Sequence, residues 1–385
     1  MKLAPFITAI ALIGTAAAWP AAAPLSPRAG RDARLPVDPL PATVGHLDSI
    51  DCWSGSGCIA VGYRRLGGKD KPWAVRWDGL SWSAAPVPGH RQGRLYSVSC
   101  LHANLCLAAG FAGDIANSRP FALWWKRTGW FPAREPRGLE SDEEYFSDSC
   151  RPRRGCAAVG DQIVTWQGGR PAGHLLRSYP ATPGLRFTSV SCPSRGRCVV
   201  VGSDGQGCEG GSRAILGTRD GASIRVFAPA WKACGAWLYT SCAGSTCHVT
   251  GTGLCGLVLV SETRGVWARE RCGYGPSSHK ESGANAAGIS CWGARSCMAV
   301  GQTQCCGTSR FRLFKPWTSR PLALLLRGRQ WREIAVRKPI NGILQGVSCV
   351  GARFCLAVGW VEASYQRVGR PLAMRWNGRK WRVVT

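Results

Sequence analysis

Several common catalytic devices are missing from this chain of 385 residues. Its six histidines are scattered and form no H-E-x-x-H or other pair at ligand spacing, which removes the helical zinc hydrolases. No glycine-rich loop leads from a strand into a helix, so nucleotide phosphates have no cradle. No nucleophile elbow is present. Acids are scarce: 22 Asp and Glu stand against 49 Lys and Arg, a formal charge of +27. After the first 23 residues no apolar run approaches the ~20 residues of a membrane span. Catalytic residues, metal ligands and cofactors are therefore not expected, and no transmembrane span is expected in the mature chain.

The N-terminus reads as a signal peptide over 1–23. Lys2 supplies the positive start, Ala4 to Ala18 the apolar stretch and Ala16-Ala17-Ala18 a small-residue cleavage site. Residues 24–46 hold five prolines with Arg and Ala and little apolar period, the composition of a disordered leader. The twenty cysteines fit an oxidising compartment, which puts the mature chain outside the cell, within reach of the wall.

From Leu47 the chain repeats itself. LQGVSCVGARFCLAVG, then PLAMRWNGRKW, shows the unit at its clearest: two short strands around Cys349 and Cys355, a third ending at Asn377-Gly378, and a fourth from Trp381. Equivalent pairs are Cys52 and Cys58, Cys100 and Cys106, Cys150 and Cys156, Cys192 and Cys198, Cys242 and Cys247, and Cys291 and Cys297. Their first members lie 42 to 58 residues apart, which is the length of a four-stranded propeller blade. The expected fold is all-β: a disulfide-rich, seven-bladed β-propeller of four-stranded antiparallel blades over 47–385. Each pair closes a seven-residue ring, or six at Cys242–Cys247, as a local disulfide worth roughly 2 kcal/mol.

The turns between third and fourth strands resemble the Asp-box, Ser/Thr-x-Asp-x-Gly-x-x-Trp, of sialidase-type propellers. Thr218-Arg219-Asp220-Gly221 and Asp78-Gly79-Leu80-Ser81-Trp82 come nearest. With VSC-x5-C-x-AVG and PLA-x-RWNG-x-x-W, the chain also resembles a group of secreted actinobacterial repeat proteins. The resemblance implies that Asp78, Asp220 and Asn377 stabilise turns. It also implies that Trp82, Trp130, Trp267, Trp331 and Trp381 pack between blades. It does not extend to sialidase activity, since no Arg-Ile-Pro occurs.

Six cysteines lie outside the repeat: Cys208, Cys234, Cys255, Cys272, Cys305 and Cys306. All map to the face formed by loops between second and third strands and by crossovers between blades, and fifteen pairings are open to them. Proximity favours Cys208 with Cys234 and Cys255 with Cys272, leaving Cys305 and Cys306 as a vicinal pair. That face also carries the longest basic loops, with Arg64 and Arg65 in the first blade and Arg310, Phe311, Arg312 and Trp317 in the sixth. Basic residues interleaved with aromatics bind polyanions or sugar chains, so these six are the candidate ligand-binding residues. The acidic run Glu140, Asp142, Glu143 and Glu144 reads as a solvated loop. The function expected is a secreted, monomeric, non-catalytic binding module for an anionic envelope polymer, a glycan or an envelope protein, without sequence-specific nucleic-acid readout. The competing reading is a carbohydrate-active enzyme, which needs convergent carboxylates in a central pocket.

Overall fold

A computed structural model of the chain describes residues 44–384 apart from 167–172, 177–184, 228–236, 273–283, 305–318, 337–340, 362–368 and turns of one to four residues. The chain is a β-propeller built from sheets of four antiparallel strands, each laid down in chain order from the inside outwards. The innermost strands are Gly45–Ser54, Gly93–His102, Tyr145–Arg151, Arg186–Ser194, Trp237–Ala243, Ala284–Gly293 and Gly342–Gly351. Each packs against the next, and Gly342–Gly351 returns to pack against Gly45–Ser54. The sheet that contains Ala284–Gly293 gains a fifth strand, Arg271–Cys272, which runs parallel to its outermost strand Gln330–Glu333 and covers that edge. The first strand begins at Gly45, so Gly45 and His46 belong to the folded domain and not to the leader.

The repeated Ser-Cys of the sequence holds the inner strands together. The residue before each first cysteine accepts a hydrogen bond from the N–H of the first cysteine of the following sheet. Cys100 donates to Asp51 at 2.7 Å, Cys150 to Ser99 at 2.8 Å and Cys192 to Ser149 at 3.1 Å. Cys242 donates to Ser191, Cys291 to Ser241, Cys349 to Ser290 and Cys52 to Ser348, each at 3.0 Å. The last bond joins the final sheet to the first, so the series closes. Without these acceptors each N–H on the inner wall would be left over, because its strand's ladder runs only to its own sheet.

The seven local disulfides are formed, with Cα–Cα distances of 3.9–4.0 Å. Cys208 and Cys272 end strands; their side chains and the other four extra cysteines lie outside the described residues.

The glycine that closes each AVG-type run has a steric cause. Inner strands bulge between Leu47 and Ser49, Leu95 and Ser97, Phe187 and Ser189, Ala286 and Gly288, and Leu344 and Gly346. The bulge pushes a carbonyl oxygen onto the neighbouring strand. A Cβ at Gly62, Gly110, Gly202, Gly301 or Gly359 would come within 1.8–2.1 Å of it. Only glycine fits. The bulge also resets the alternation, so different residues face inwards above and below it.

The core is divided into wedges, each filled from two adjacent sheets. Trp82 packs with Leu47 of its own sheet and Val358 of the last; Trp130 packs with Val61 of the first and Leu123 of the second. Trp381 and Trp331 do the same for their neighbours, and Trp267 is a partly buried member of the wedge around Val199 and Val249. Across the outer two strands the indoles pair, Trp77 with Trp82 and Trp125 with Trp130, both at 5.3 Å. At the turns, Asp78 Oδ1 accepts from the N–H of Leu80 and Ser81, and Asn377 Oδ1 from those of Arg379 and Lys380. Glu262 takes a different part: it is fully buried and ion-paired with Arg197 of the preceding sheet.

Two substitutions test this construction. Gly110→Ala should destabilise by more than about 3 kcal/mol, because backbone and not a flexible side chain meets the new methyl. Ser99→Ala should cost about 1–3 kcal/mol through the stranded Cys150 N–H. Denaturant melts measure both; a cost below 0.5 kcal/mol for either, on the same scale, would show that the inner wall tolerates a break.

Candidate functional site

The inner strands enclose a cavity of about 560 Å³. Its lining follows from the register. Below the bulge, near the disulfides, it is a ring of hydroxyls with Asp51 among them. One step further up stand Ser49, Ser97, Ser147, Ser189 and Tyr239, with Gly288 and Gly346 completing the round. Ser49, Ser147 and Ser189 accept from the N–H groups of Val98, Val190 and Thr240 at 3.1–3.3 Å. Above the bulge the lining becomes ionisable and aromatic: His46, Asp48, Arg94, Tyr96, Phe146, Gln345, Tyr63 and Trp360.

This upper part forms the mouth. His46 stacks on Trp360 with ring centroids 4.1 Å apart and planes 1° from parallel. Its Nδ1 is 3.0 Å from the Tyr63 hydroxyl. Burial and the nearby Arg94 charge push the imidazole down to about 4, so it is neutral near pH 7. Arg94 lies over Tyr63 at 4.2 Å and donates from Nε and Nη2 to Asp70 Oδ2 at 2.9 and 2.6 Å. Tyr96 stacks on Phe146 at 5.9 Å, and Arg186 lies over the Phe146 ring at 5.2 Å while bonding Asp161 at 2.8 Å. The mouth arginines therefore have carboxylate partners already.

The cavity carboxyls are held differently. Burial pushes Asp48 up to about 7, with Arg94 opposing, and one of its oxygens has no hydrogen-bond partner. Asp148 is pushed to about 8 by burial, with Asp51 adding to the rise and the Ser97 hydroxyl and Ser99 amide opposing it; neither carboxyl oxygen makes a hydrogen bond of normal geometry. Asp51 is also raised by burial, against the bonds it accepts from Cys100 and Ser348. In a protein of formal charge +27 the central cavity thus gathers three carboxyl groups.

Of the residues picked from sequence, Arg64 and Arg65 stand at this same end of the channel, since Gly45 pairs with Arg64 and His46 with Tyr63. They lie on the rim and not in the lining; Arg65 is half exposed and 3.9 Å from Asp70. Arg310, Phe311, Arg312 and Trp317 lie outside the described residues. Of the acidic run, Glu140, Asp142 and Glu143 lie outside the described residues, and Glu144 has its N–H 3.4 Å from Asp161 Oδ2. His46, Asp48, Asp51, Arg94, Tyr96, Asp148 and Trp360 escaped sequence reading. The signal for two of them was there: Asp51 is the one acid among seven residues preceding a first cysteine, and Asp148 the one charge two residues before.

No family model matches the chain, and no curated protein matches it in sequence. In fold it resembles YCF48 from Cyanidioschyzon merolae, with 12% identity and a TM-score of 0.55 over 87% of this chain and 96% of that one. The β-propeller domain of the trilobed protease from Pyrococcus furiosus gives 9% identity and a TM-score of 0.51 over 89% and 98%. A puromycin-hydrolysing peptidase of Mycobacterium tuberculosis gives 8% and 0.54 over 91% of this chain and 54% of that chain. At such identities the likeness is one of fold alone.

The carboxyls set a pH dependence. Folded pKa values of about 7 and 8 for Asp48 and Asp148 exceed the ordinary carboxylate value, so the stability they contribute is complete below about pH 4 and is lost as pH rises to 8. His46, lowered to about 4, withdraws stability as pH falls from 6.5 towards 4. Two raised carboxyls outweigh one lowered histidine, so thermal melts should be highest near about pH 4 and decline as pH rises towards about 8. Asp148→Asn should flatten the alkaline decline; an unchanged slope in that variant would remove Asp148 as its cause.

Proposed function

We propose that the chain is an exported, non-catalytic binding protein whose sheets are the blades of one closed seven-bladed ring, and that its ligand enters the central channel at the His46–Arg94 end. The ligand is a glycan-bearing, anionic polymer of the cell envelope. The observation that carries this reading is the mouth itself: a polar cavity of about 560 Å³ framed by two aromatic stacks, Tyr96 on Phe146 and His46 on Trp360, with basic residues around the rim. Flat aromatic faces suit the apolar faces of sugar rings, and rim arginines suit phosphate or carboxylate groups. Arg64 and Arg65, with Arg310, Phe311, Arg312 and Trp317, form the outer contact in this scheme. The seven disulfides support an oxidising location. Among the described residues no helix is long and apolar enough to cross a membrane.

One observation favours a second reading, a glycosidase-like enzyme: three carboxyls, Asp48, Asp51 and Asp148, line the same cavity. Glycoside hydrolysis divides the labour between a protonated acid and an ionised base or nucleophile. Here burial raises all three, and Asp51 is committed to the Cys100 N–H and the Ser348 hydroxyl, so no free carboxylate is set aside for the second role. The binding reading is therefore preferred.

Retention on purified envelope polymer tests it. Trp360→Ala should lower affinity about tenfold, which is 1.4 kcal/mol. The pair Arg64→Ala and Arg65→Ala should lower it at low salt and matter little once screening is strong. Equal retention of all variants would place the ligand elsewhere, and release of sugars from the polymer would establish the enzyme instead.

A further inference from the structure

We infer that the end of the propeller that carries the disulfides, opposite the His46 mouth, docks on an anionic lipid surface. This contact is separate from the channel and does not depend on what the channel holds.

Within each sheet the first and third strands run the same way, so the turn after the first and the turn after the third leave at one end. The seam bonds hold the first cysteines level from sheet to sheet and so bring these turns to one face. Arg127, Arg264, Arg295, Arg329, Arg353 and Lys380 stand there, all exposed, and none is ion-paired among the described residues. Two acids at this end are engaged, Asp78 with the Leu80 and Ser81 amides and Glu262 in its buried pair with Arg197. The side chain of Asp220 lies outside the described residues.

Two of the arginines are held at a conformational cost. In the turns between third and fourth strands the second residue has a left-handed backbone. Glycine takes that place at Gly79, Gly328 and Gly378, with φ of 107°, 70° and 91°. Arg127 and Arg264 take it at φ 56° and 53°, the only non-glycine residues of positive φ among those described. A long side chain gains the turn nothing where glycine fits more easily. Strain of this kind points to a side chain kept for a contact outside the fold.

Apolar side chains stand among the charges. Leu80, at the tip of its turn, is 88% exposed; Val266, two residues after Arg264, is 70% exposed, and Val350, near Arg353, 45%. An anionic bilayer meets both kinds of group, since Lys and Arg are drawn to its surface and apolar tips enter between the head groups. A soluble polyanion would leave Leu80 and Val266 in water. It also suits a groove that follows one path, whereas these cations sit on separate turns spread over a face.

The test is flotation of the mature protein with vesicles of equal parts phosphatidylglycerol and phosphatidylcholine, and with vesicles of phosphatidylcholine alone. Heparin is titrated in parallel as a soluble polyanion. Binding to the anionic vesicles should be about tenfold tighter than to the neutral ones or more, and should weaken as salt is raised. Arg127→Gly with Arg264→Gly should lower it severalfold without lowering the melting temperature. That loss should exceed the loss from Arg64→Ala with Arg65→Ala, which removes the same charge from the opposite end. Leu80→Ser should weaken vesicle binding and leave heparin binding as it was. Equal binding to neutral and anionic vesicles, or equal losses from the two arginine pairs, would overturn the inference. Vesicle binding indifferent to Leu80→Ser, with heparin binding that depends on Arg127 and Arg264, would overturn it too and assign the face to a polyanion.

Discussion

The hydroxyl-to-amide bond between neighbouring inner strands is the constraint from which the rest of the architecture follows. A propeller has no ladder between its blades, so the inner strand of each sheet would present unpaired N–H groups to its neighbour. In this chain the side chain before each first cysteine fills that gap, and the cysteine itself clips the strand to the next strand of its sheet. Serine is short enough to reach across without widening the channel, which explains its recurrence. Where the chain departs from serine, at Asp51, the carboxylate makes the same bond to Cys100 and gains a second from Ser348. That departure falls beside the seam between first and last sheets.

The bulge is the second constraint. It forces glycine into the adjoining strand, and it changes which residues face the channel. Below it, the positions one and three before the cysteine point inwards; above it, those four and six before do so. The result is a channel whose floor is made of repeated hydroxyls and whose mouth is made of residues that differ from sheet to sheet. Charge follows the same division. Among the described residues the cavity is lined by three aspartates and one arginine, and the arginine is paired with Asp70.

Much of the architecture could be read directly from the cysteine pairs, the AVG glycines and the Asn-Gly and Asp-Gly turns, because each repeats and each has a local physical cause. The site was far less legible. His46 sits at the end of a polar, proline-rich segment and reads as leader until the strand pairing with Tyr63 is known. Asp48 and Tyr96 lie beyond the bulge, where a simple two-residue period assigns the wrong face. Arg94 looks like one more surface arginine; only its packing on Tyr63 and its bond to Asp70 distinguish it. Charge density drew attention to Arg64 and Arg65, whose long side chains stand on the rim. The more informative clue was departure from the repeat, as at Asp51 and Asp148.

Departure from the repeat also explains why the cavity has a chemical direction although its frame is nearly symmetric. The inner strands of the first three sheets supply His46, Asp48, Asp51, Arg94, Tyr96, Phe146 and Asp148. Those of the last two supply Ala287, Gly288, Gln345 and Gly346. The glycines let backbones close up: a Cβ at Gly346 would lie 2.9 Å from the Ser49 Cα, and one at Gly288 would lie 2.6 Å from the Gln345 carbonyl oxygen. Side chains there would push the strands apart and break the seam bonds at Ser290 and Ser348. The inner strands on that side are therefore given to closure and bring mostly small side chains into the cavity, while those of the first three sheets carry its ionisable groups. From the His46 end inwards the lining passes from aromatic faces to carboxyls that stand on one wall only, so the cavity is chemically lopsided within a nearly symmetric frame.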